Sequence, residues 1–492
     1  MFKFPSSIVF TNVVPHNRLE QLAACDELEL VTEIQEAFAD VFAVNSDLFS
    51  LNIPSTVSLT TQQTLWTSYE ESILNRIVDG VFAAAVSLRI HPAVRFARAS
   101  PLCFKIAQMI QTKLDDEHIL FEQMGSGTTA QPSVLIITDR RMDPITPLLN
   151  QWTYQAMCHE LIGLDKNRMD LRKAPGIKKE FEEIVMSCSQ DKFFEDNLVS
   201  NFGDLAINIE KYVSKFQEQT KTQSQKIESI EDMQRFIDQY PEFKKLSGNV
   251  SKHVTVVHEL SRLVSAGNLI SVSAIEQEVA CEENRVEQLR KINIALSDPA
   301  NTQLEKLRLV LLYAVRYSGD SAGLGQLKQS LCSLGVSSEQ VGLIDLVLDY
   351  SRELYRPEES GPKKSMMSLI KNAAGFGGIE NVYTQHKSMV HALVDSALKG
   401  KLKDTTYPFM ESKRKALPQG AANMKPIDVM TFVVGGATYE EARDVRMLNQ
   451  QYNSGGQWAI LGGSNILNSK TFLADIAQIK RTRTVVGLPG RD

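Results

Sequence analysis

The densest group of potentially reactive side chains is Asp139-Arg140-Arg141-Met142-Asp143-Pro144. It follows a near-continuous apolar run, Ser133–Thr138 (SVLIIT), which reads as a strand of a parallel sheet. The C-terminal ends of such strands are where α/β enzymes gather their acids. Two aspartates four apart could hold a divalent metal or divide acid and base work between them. That is the basis of one reading, a metal-dependent α/β hydrolase or phosphatase using Asp139 and Asp143. A plainer reading competes with it. Asp143 before Pro144 has the form of a helix N-cap with proline at the first helical position. Asp139 can pair with a neighbouring arginine, and no glycine-rich phosphate loop stands beside the pair.

Other chemical signals are weaker. Gly435-Gly436 and Gly462-Gly463 each follow a strand-like run and precede a helix-like one, where backbone amides could meet an anion. Neither fits a dinucleotide or P-loop fingerprint. Thr438 and Glu441 form a T-x-x-E capping box, which accounts for that helix start without a ligand. Neither G-x-S-x-G nor H-E-x-x-H occurs. The six cysteines are widely spaced with no C-x-x-C, as in a reduced cytosolic protein. His253 and His258 are five apart, which does not put two metal ligands on one helical face. These patterns nominate no catalytic residue, cofactor or metal.

The elements that would position these groups fall into blocks. The chain has 492 residues, more than one core usually encloses. Hydrophobic residues make up 43% and charged residues 23%, so a globular protein is expected. A net charge of −6 argues against nucleic acid. No apolar run is long enough to span a membrane, so membrane contact would come through a partner. Residues 8–14 read as a strand, 17–40 as a helix, 48–53 as a strand, and 59–90 and 99–122 as helices. Strand character nearly vanishes from about 150 to 405, where helical periodicity dominates. One apolar stripe takes in Val250, Val254, Val257 and Val264, and Leu304–Ala314 is apolar nearly all round. Strands return at 428–434 and 458–461, with helices at 438–449 and 469–476. The expected fold class is α/β with a large, mostly α-helical insertion, the strands at 133–138, 429–434 and 458–461 sharing one sheet. Boundaries fall at 1–47, 48–164, 165–407 and 408–492.

Pro241 lies inside an otherwise helical stretch, 229–264. An interior proline costs about 3 kcal/mol and disfavours helical geometry in the residue before it. Two readings follow: a turn between two short helices, or a hinge on which a helical hairpin opens to accept a partner helix.

Asp139–Leu164 (DRRMDPITPLLNQWTYQAMCHELIGL) resembles the signature of the Sec/Munc (SM) family. So do Lys244–Ser265, Gly378–His386 (GIENVYTQH) and Phe432–Ala442 (FVVGGATYEEA). The resemblance runs over essentially the whole chain, within the branch that serves trans-Golgi and endosomal traffic. It implies an arch-shaped, non-catalytic protein. Two α/β domains are expected, with a helical third domain inserted in the second. The implied partners are a syntaxin-type SNARE, syntaxin-16-like, and SNARE assemblies. The implied binding site is a hairpin near 228–266 with Pro241 as its hinge, flanked by Tyr240, Phe243, Lys244 and Lys245. The match starts near the end of the family's first domain, so an N-terminally truncated architecture is expected. That first domain carries the pocket for the syntaxin N-terminal peptide. The implied location is the cytosol, with peripheral attachment to Golgi and endosomal membranes.

Overall fold

The computed structural model describes residues 5–14, 16–125, 133–224, 230–355, 385–414 and 425–485. The side chains of residues 216–247 and 480–485 lie outside that description.

The chain opens with β1 (Ser6–Phe10), α1 (His16–Cys25) and β2 (Val31–Glu36). β1 and β2 pair in parallel as a sheet of their own. Where the pattern predicts one helix near 17–40, the helix stops at Cys25. The Asp26 carboxylate accepts the backbone N–H groups of Leu30 and Val31 and turns the chain. The β-branched Val31, Thr32 and Ile34 then favour extended backbone.

The frame of the molecule is a six-stranded sheet. Its first strands in the chain are β3 (Phe42–Asn45) and β4 (Leu48–Ser50). α2 (Ser68–Ser87) follows, opened by a Thr67–Glu70 capping box, then β5 (Ala93–Phe96). α3 (Pro101–Asp116) starts with proline at its first position, and Ser100 Oγ accepts the Cys103 N–H. α4 (His118–Gln123) and β6 (Val134–Asp139) complete the first pass. The chain then leaves the sheet at Asp139 and returns at Asp428 in the neighbouring strand.

The excursion begins with α5 (Tyr154–Met157), which continues as a π-helical turn over Cys158–Ile162. A small hairpin, β7 (Arg168–Asp170) and β8 (Glu183–Val185), and α6 (Lys192–Asn197) follow. Helices then take over: α7 (Phe202–Ser224), α8 (Ile230–Ala266), α9 (Leu269–Cys281) and α10 (Arg285–Ser297), then α11 (Gln303–Arg316), α12 (Ser321–Ser333) and α13 (Ser338–Ser351). α14 (Met389–Leu398) leads back to β9 (Asp428–Val434) and β10 (Ala437–Thr438). α15 (Tyr439–Tyr452), β11 (Trp458–Gly463), β12 (Ile466–Leu467) and α16 (Ser469–Val485) end the described chain.

The strand order is β3-β4-β11-β9-β6-β5, parallel throughout except for the β3–β4 pair. The expected α/β sheet with a helical insertion is therefore what forms. β6 is buried at every position, and β9 at every position after Asp428. Helices cover both faces of such a sheet, which is why both strands read as unbroken apolar runs. Gly462 sits where a Cβ would come within 2.1 Å of the Phe49 ring, so only glycine lets β11 lie against β4.

Two hydrophobic cores result. One spans the sheet, α2, α3 and the stripe Val256, Leu260 and Val264 of α8. The other joins α11 to Ile145, Leu148 and Leu149, and to Phe472, Leu473 and Ile476 of α16. The helical insertion thus shares apolar packing with the α/β frame. The stripe of α8 differs from the predicted one. Val250 and Val264 are buried, but Val254 is 42% exposed, and His253, Val256 and Leu260 take the inner positions.

α16 carries a buried carboxyl. Burial pushes Asp475 up to about 7, against a hydrogen bond with Ser55 that lowers it. An unfolded aspartate titrates near ~3.9. The folded state therefore holds the proton more tightly, and the stability tied to it is present below about pH 4 and lost as pH rises through 7. Asp475→Asn is expected to melt about 2 °C above the parent at pH 8, the gap closing by pH 4. Thermal melts at the two pH values check this; a gap that ignores pH would contradict it.

Candidate partner-helix interface

The longest helices, α7 and α8, pack against each other as a hairpin. At a rise of 1.5 Å per residue, α8 is about 55 Å long and α7 about 35 Å. α7 continues to Ser224. α8 runs without interruption from Ile230 to Ala266. Pro241 removes a backbone N–H and crowds the carbonyl of Ile237, yet no turn between two short helices forms there. Tyr240, Pro241, Phe243, Lys244 and Lys245 all lie on this helix, and Tyr240, Phe243 and Lys244 are spaced to share one side of it. Their side chains fall outside the described residues. Of the Gly378–His386 segment, only Gln385 and His386 are described.

The base of the hairpin is held by polar groups. Trp152 stacks edge-on against Phe202 at 6.4 Å, and its indole N–H donates to Ser273 Oγ at 3.0 Å. Tyr154 Oη lies 2.8 Å from His253 Nδ1, and His253 Nε2 lies 2.9 Å from an Asp191 oxygen. Lys252 pairs with the same carboxylate. Burial pushes the His253 pKa down, which favours a neutral ring whose Nδ1 accepts a hydrogen bond from the Tyr154 hydroxyl and whose Nε2–H donates to Asp191. Burial would raise Asp191, but His253 and Lys252 together hold it well below the usual carboxylate range.

A second polar group joins α9, α11 and α16 to the signature segment. Arg308 is 1% exposed and donates to Leu148 O at 2.9 and 3.0 Å. It also donates to Asn150 Oδ1 at 2.9 Å and Glu160 at 3.2 Å. Glu276 lies 3.6 Å from it and accepts the Asn150 N–H and amide. Glu160 in turn accepts the Ser469 N–H at 2.9 Å, at the start of α16. Nothing local in the sequence announces this network. The available signal is an arginine at the head of the apolar run Leu309–Ala314.

The aspartate pair is occupied by structure. Asp139 accepts from Arg141 at 2.8 Å and from Ser100 Oγ at 2.6 Å. Asp143 accepts the N–H and hydroxyl of Thr146 at 3.0 and 2.6 Å and the Met389 N–H at 3.2 Å. It does not cap a long helix as expected: the chain makes two 3-10 turns, Arg140–Met142 and Thr146–Leu148. Arg140, fully buried, forks onto Glu441 at 2.8 and 2.9 Å. Glu441 meanwhile closes the predicted capping box on Thr438. Among the described residues no group of three or more His, Cys, Asp or Glu is placed to hold a metal. The Gly435 N–H is taken by Ser464 Oγ at 3.0 Å and that of Gly436 by Val433 O at 3.2 Å, so neither is free for an anion. A Cβ on Gly435 would come within 2.6 Å of Arg140 Cβ, which explains the glycine. The hydrolase reading finds no support in this geometry.

Comparison with known proteins agrees with the fold. The model of the Sec1 family matches residues 5–475. This chain belongs to the Sec1 family. It is 40% identical over 472 residues to vacuolar protein sorting-associated protein 45 of Dictyostelium discoideum, covering 96% of this chain and 80% of that protein. It is 40% identical over 471 residues to the Homo sapiens protein of the same name, covering 95% and 79%. Among solved structures, it superposes with a TM-score of 0.83 on the SM protein Vps45 in complex with the Qa SNARE Tlg2 (1-310). That pair is 40% identical over 97% of this chain and 82% of the other. In the Sec1-family frame, the signature Asp139–Leu164 is a junction: its carboxylates, carbonyls and aromatic rings receive the arginines and helices of the insertion.

Proposed function

We propose that this chain is a non-catalytic scaffold for helices of syntaxin-type SNAREs in vesicle docking and fusion. The observation that carries the reading is the similarity, at 40% identity and a TM-score of 0.83, to an SM protein solved with a Qa SNARE. The α7/α8 hairpin is the platform in this reading, with Pro241 as its point of compliance and Tyr240, Phe243, Lys244 and Lys245 beside it. A SNARE is an amphipathic helix, and an interface of standard size, roughly 1,200–2,000 Å², suffices to hold one in register. The energy comes from apolar helix faces, with no bond made or broken. Among the described residues no helix is long and apolar enough to cross a membrane. We place the protein in the cytosol, drawn to Golgi and endosomal membranes by its partners.

Capture of syntaxin-family cytosolic domains by the purified chain tests the scaffold. If it retains none of them, the reading falls. Pro241→Ala tests the site within it. Restoring the backbone N–H removes a penalty of about 3 kcal/mol from the helix and stiffens α8. SNARE assembly measured by fluorescence transfer is expected to change about fivefold or more, with bulk melting no lower than the parent's. Equal assembly rates would remove Pro241 from the mechanism.

A further inference from the structure

We propose that Tyr154, Asp191, Lys252 and His253 form a clasp that sets the angle at which the hairpin leaves the body. Their consequence for partner capture rests on the hairpin being the SNARE platform. The position carries the first part of the argument. On α8, Val250 is the buried residue nearest the hairpin tip among those whose side chains are described, and His253 follows it. On α7, Tyr212 is the corresponding half-buried contact, and it stacks on Phe193 at 4.5 Å. Phe193 packs tilted against His253, with ring centroids 4.6 Å apart. Both arms of the hairpin therefore meet the body at this cluster. Residues 230–249 extend α8 by about 30 Å beyond it. A rotation of about 10° at the clasp moves the far end by about 5 Å, close to one helical turn of a docked partner.

The chemistry carries the second part. His253 is fully buried in an otherwise apolar stripe, between Val250 and Val256, where leucine would pack without a polar group to satisfy. Apolar contacts tolerate sliding; short, directional hydrogen bonds do not. The His253 ring bridges Tyr154 of α5 and Asp191. Asp191 is itself the N-cap of α6, accepting the Phe194 N–H at 3.1 Å. Three helices are locked at one point, and Lys252 balances the carboxylate. None of these bonds serves the apolar core, so the cluster buys orientation at the expense of burying a charge.

The test uses the full chain with exposed Cys25 and Cys332 replaced by serine, and spin labels at position 231 near the free end of α8 and position 71 on α2. Electron–electron distance measurements are expected to give one narrow population in the parent. His253→Ala is expected to broaden it about twofold or more and weaken capture of a syntaxin cytosolic domain about tenfold. His253→Gln is expected to restore the width and bring capture within about twofold of the parent. Its amide can accept from Tyr154 and donate to Asp191. Tyr154→Phe, which removes only the hydroxyl, carries the same expectation should the alanine variant fail to fold. Parental width in a folded His253→Ala or Tyr154→Phe variant overturns the clasp. Broadening with unchanged capture upholds the clasp and rejects the hairpin as the platform.

Discussion

Arg308→Met is expected to cost about 3–5 kcal/mol of stability, enough to leave much of the protein unfolded at 37 °C. Arg308 is the cation of a buried group holding Glu160, Glu276 and Glu305. Methionine fills similar space but leaves those carboxylates without a counter-charge, and two carbonyl and amide acceptors without a donor. Burial already pushes Glu276 and Glu305 upward, with Arg308 as the main opposing charge. Without it they rise further, so the folded state of the variant binds protons that the unfolded chain releases near ~4.3. The defect should therefore be greatest at pH 8 and shrink toward pH 5. Urea midpoints at the two pH values measure it. Lys328→Met, which breaks an exposed pair with Asp345, is the control and should cost under about 1 kcal/mol. An Arg308 variant no less stable than that control would mean the network holds nothing together.

Arg140→Met is expected to cost a similar amount, about 3–5 kcal/mol. The guanidinium is fully buried and bridges Glu441 of α15 to the Asp143 carbonyl and carboxylate. Glu441→Gln is expected to cost less, about 1–3 kcal/mol. Glutamine keeps the capping box on Thr438 and one oxygen to accept from Arg140, but gives up the charge and the second acceptor. Chemical denaturation of both variants gives the ordering. The reverse order would mean that Arg140 is not the main support of this junction. Neither change touches the hairpin, so a folded fraction of either variant should capture a syntaxin helix normally.

Much of the frame could be read from local pattern. Val134–Thr138, Val429–Val434 and Trp458–Leu461 appear as apolar runs because parallel strands are buried on both faces. Thr438 and Glu441 announce a helix start because both partners of a capping box lie within four residues. Leu304–Ala314 reads as apolar nearly all round, and Glu305–Ala314 is buried. The failures have a common cause. Val254 fits the predicted stripe, but contacts with α5 and α6 rotate the buried face of α8 toward His253. Pro241 suggests a turn between two short helices, but α8 runs through it from Ile230 to Ala266. Asp139 pairs with its neighbour Arg141, as the plainer reading expected, but Ser100 and Met389, which also occupy the two aspartates, lie too far along the chain to be assigned by spacing.

The amino-acid order alone determined the class of the molecule: an interrupted α/β sheet, a long helical insertion between neighbouring strands, and membership of a family recognisable from its signature segments. Periodicity, caps and apolar runs act over a few residues, so they survive in one dimension. The tertiary structure alone decided which buried charges meet. Arg140 finds Glu441, Arg308 finds Glu160, and His253 finds Tyr154 and Asp191. Such pairs join residues tens to hundreds of positions apart, and a lone polar residue in an apolar run has no period to betray its partner. In a low-dielectric interior each must be matched, so the fold selects the pairing that leaves the fewest charges alone.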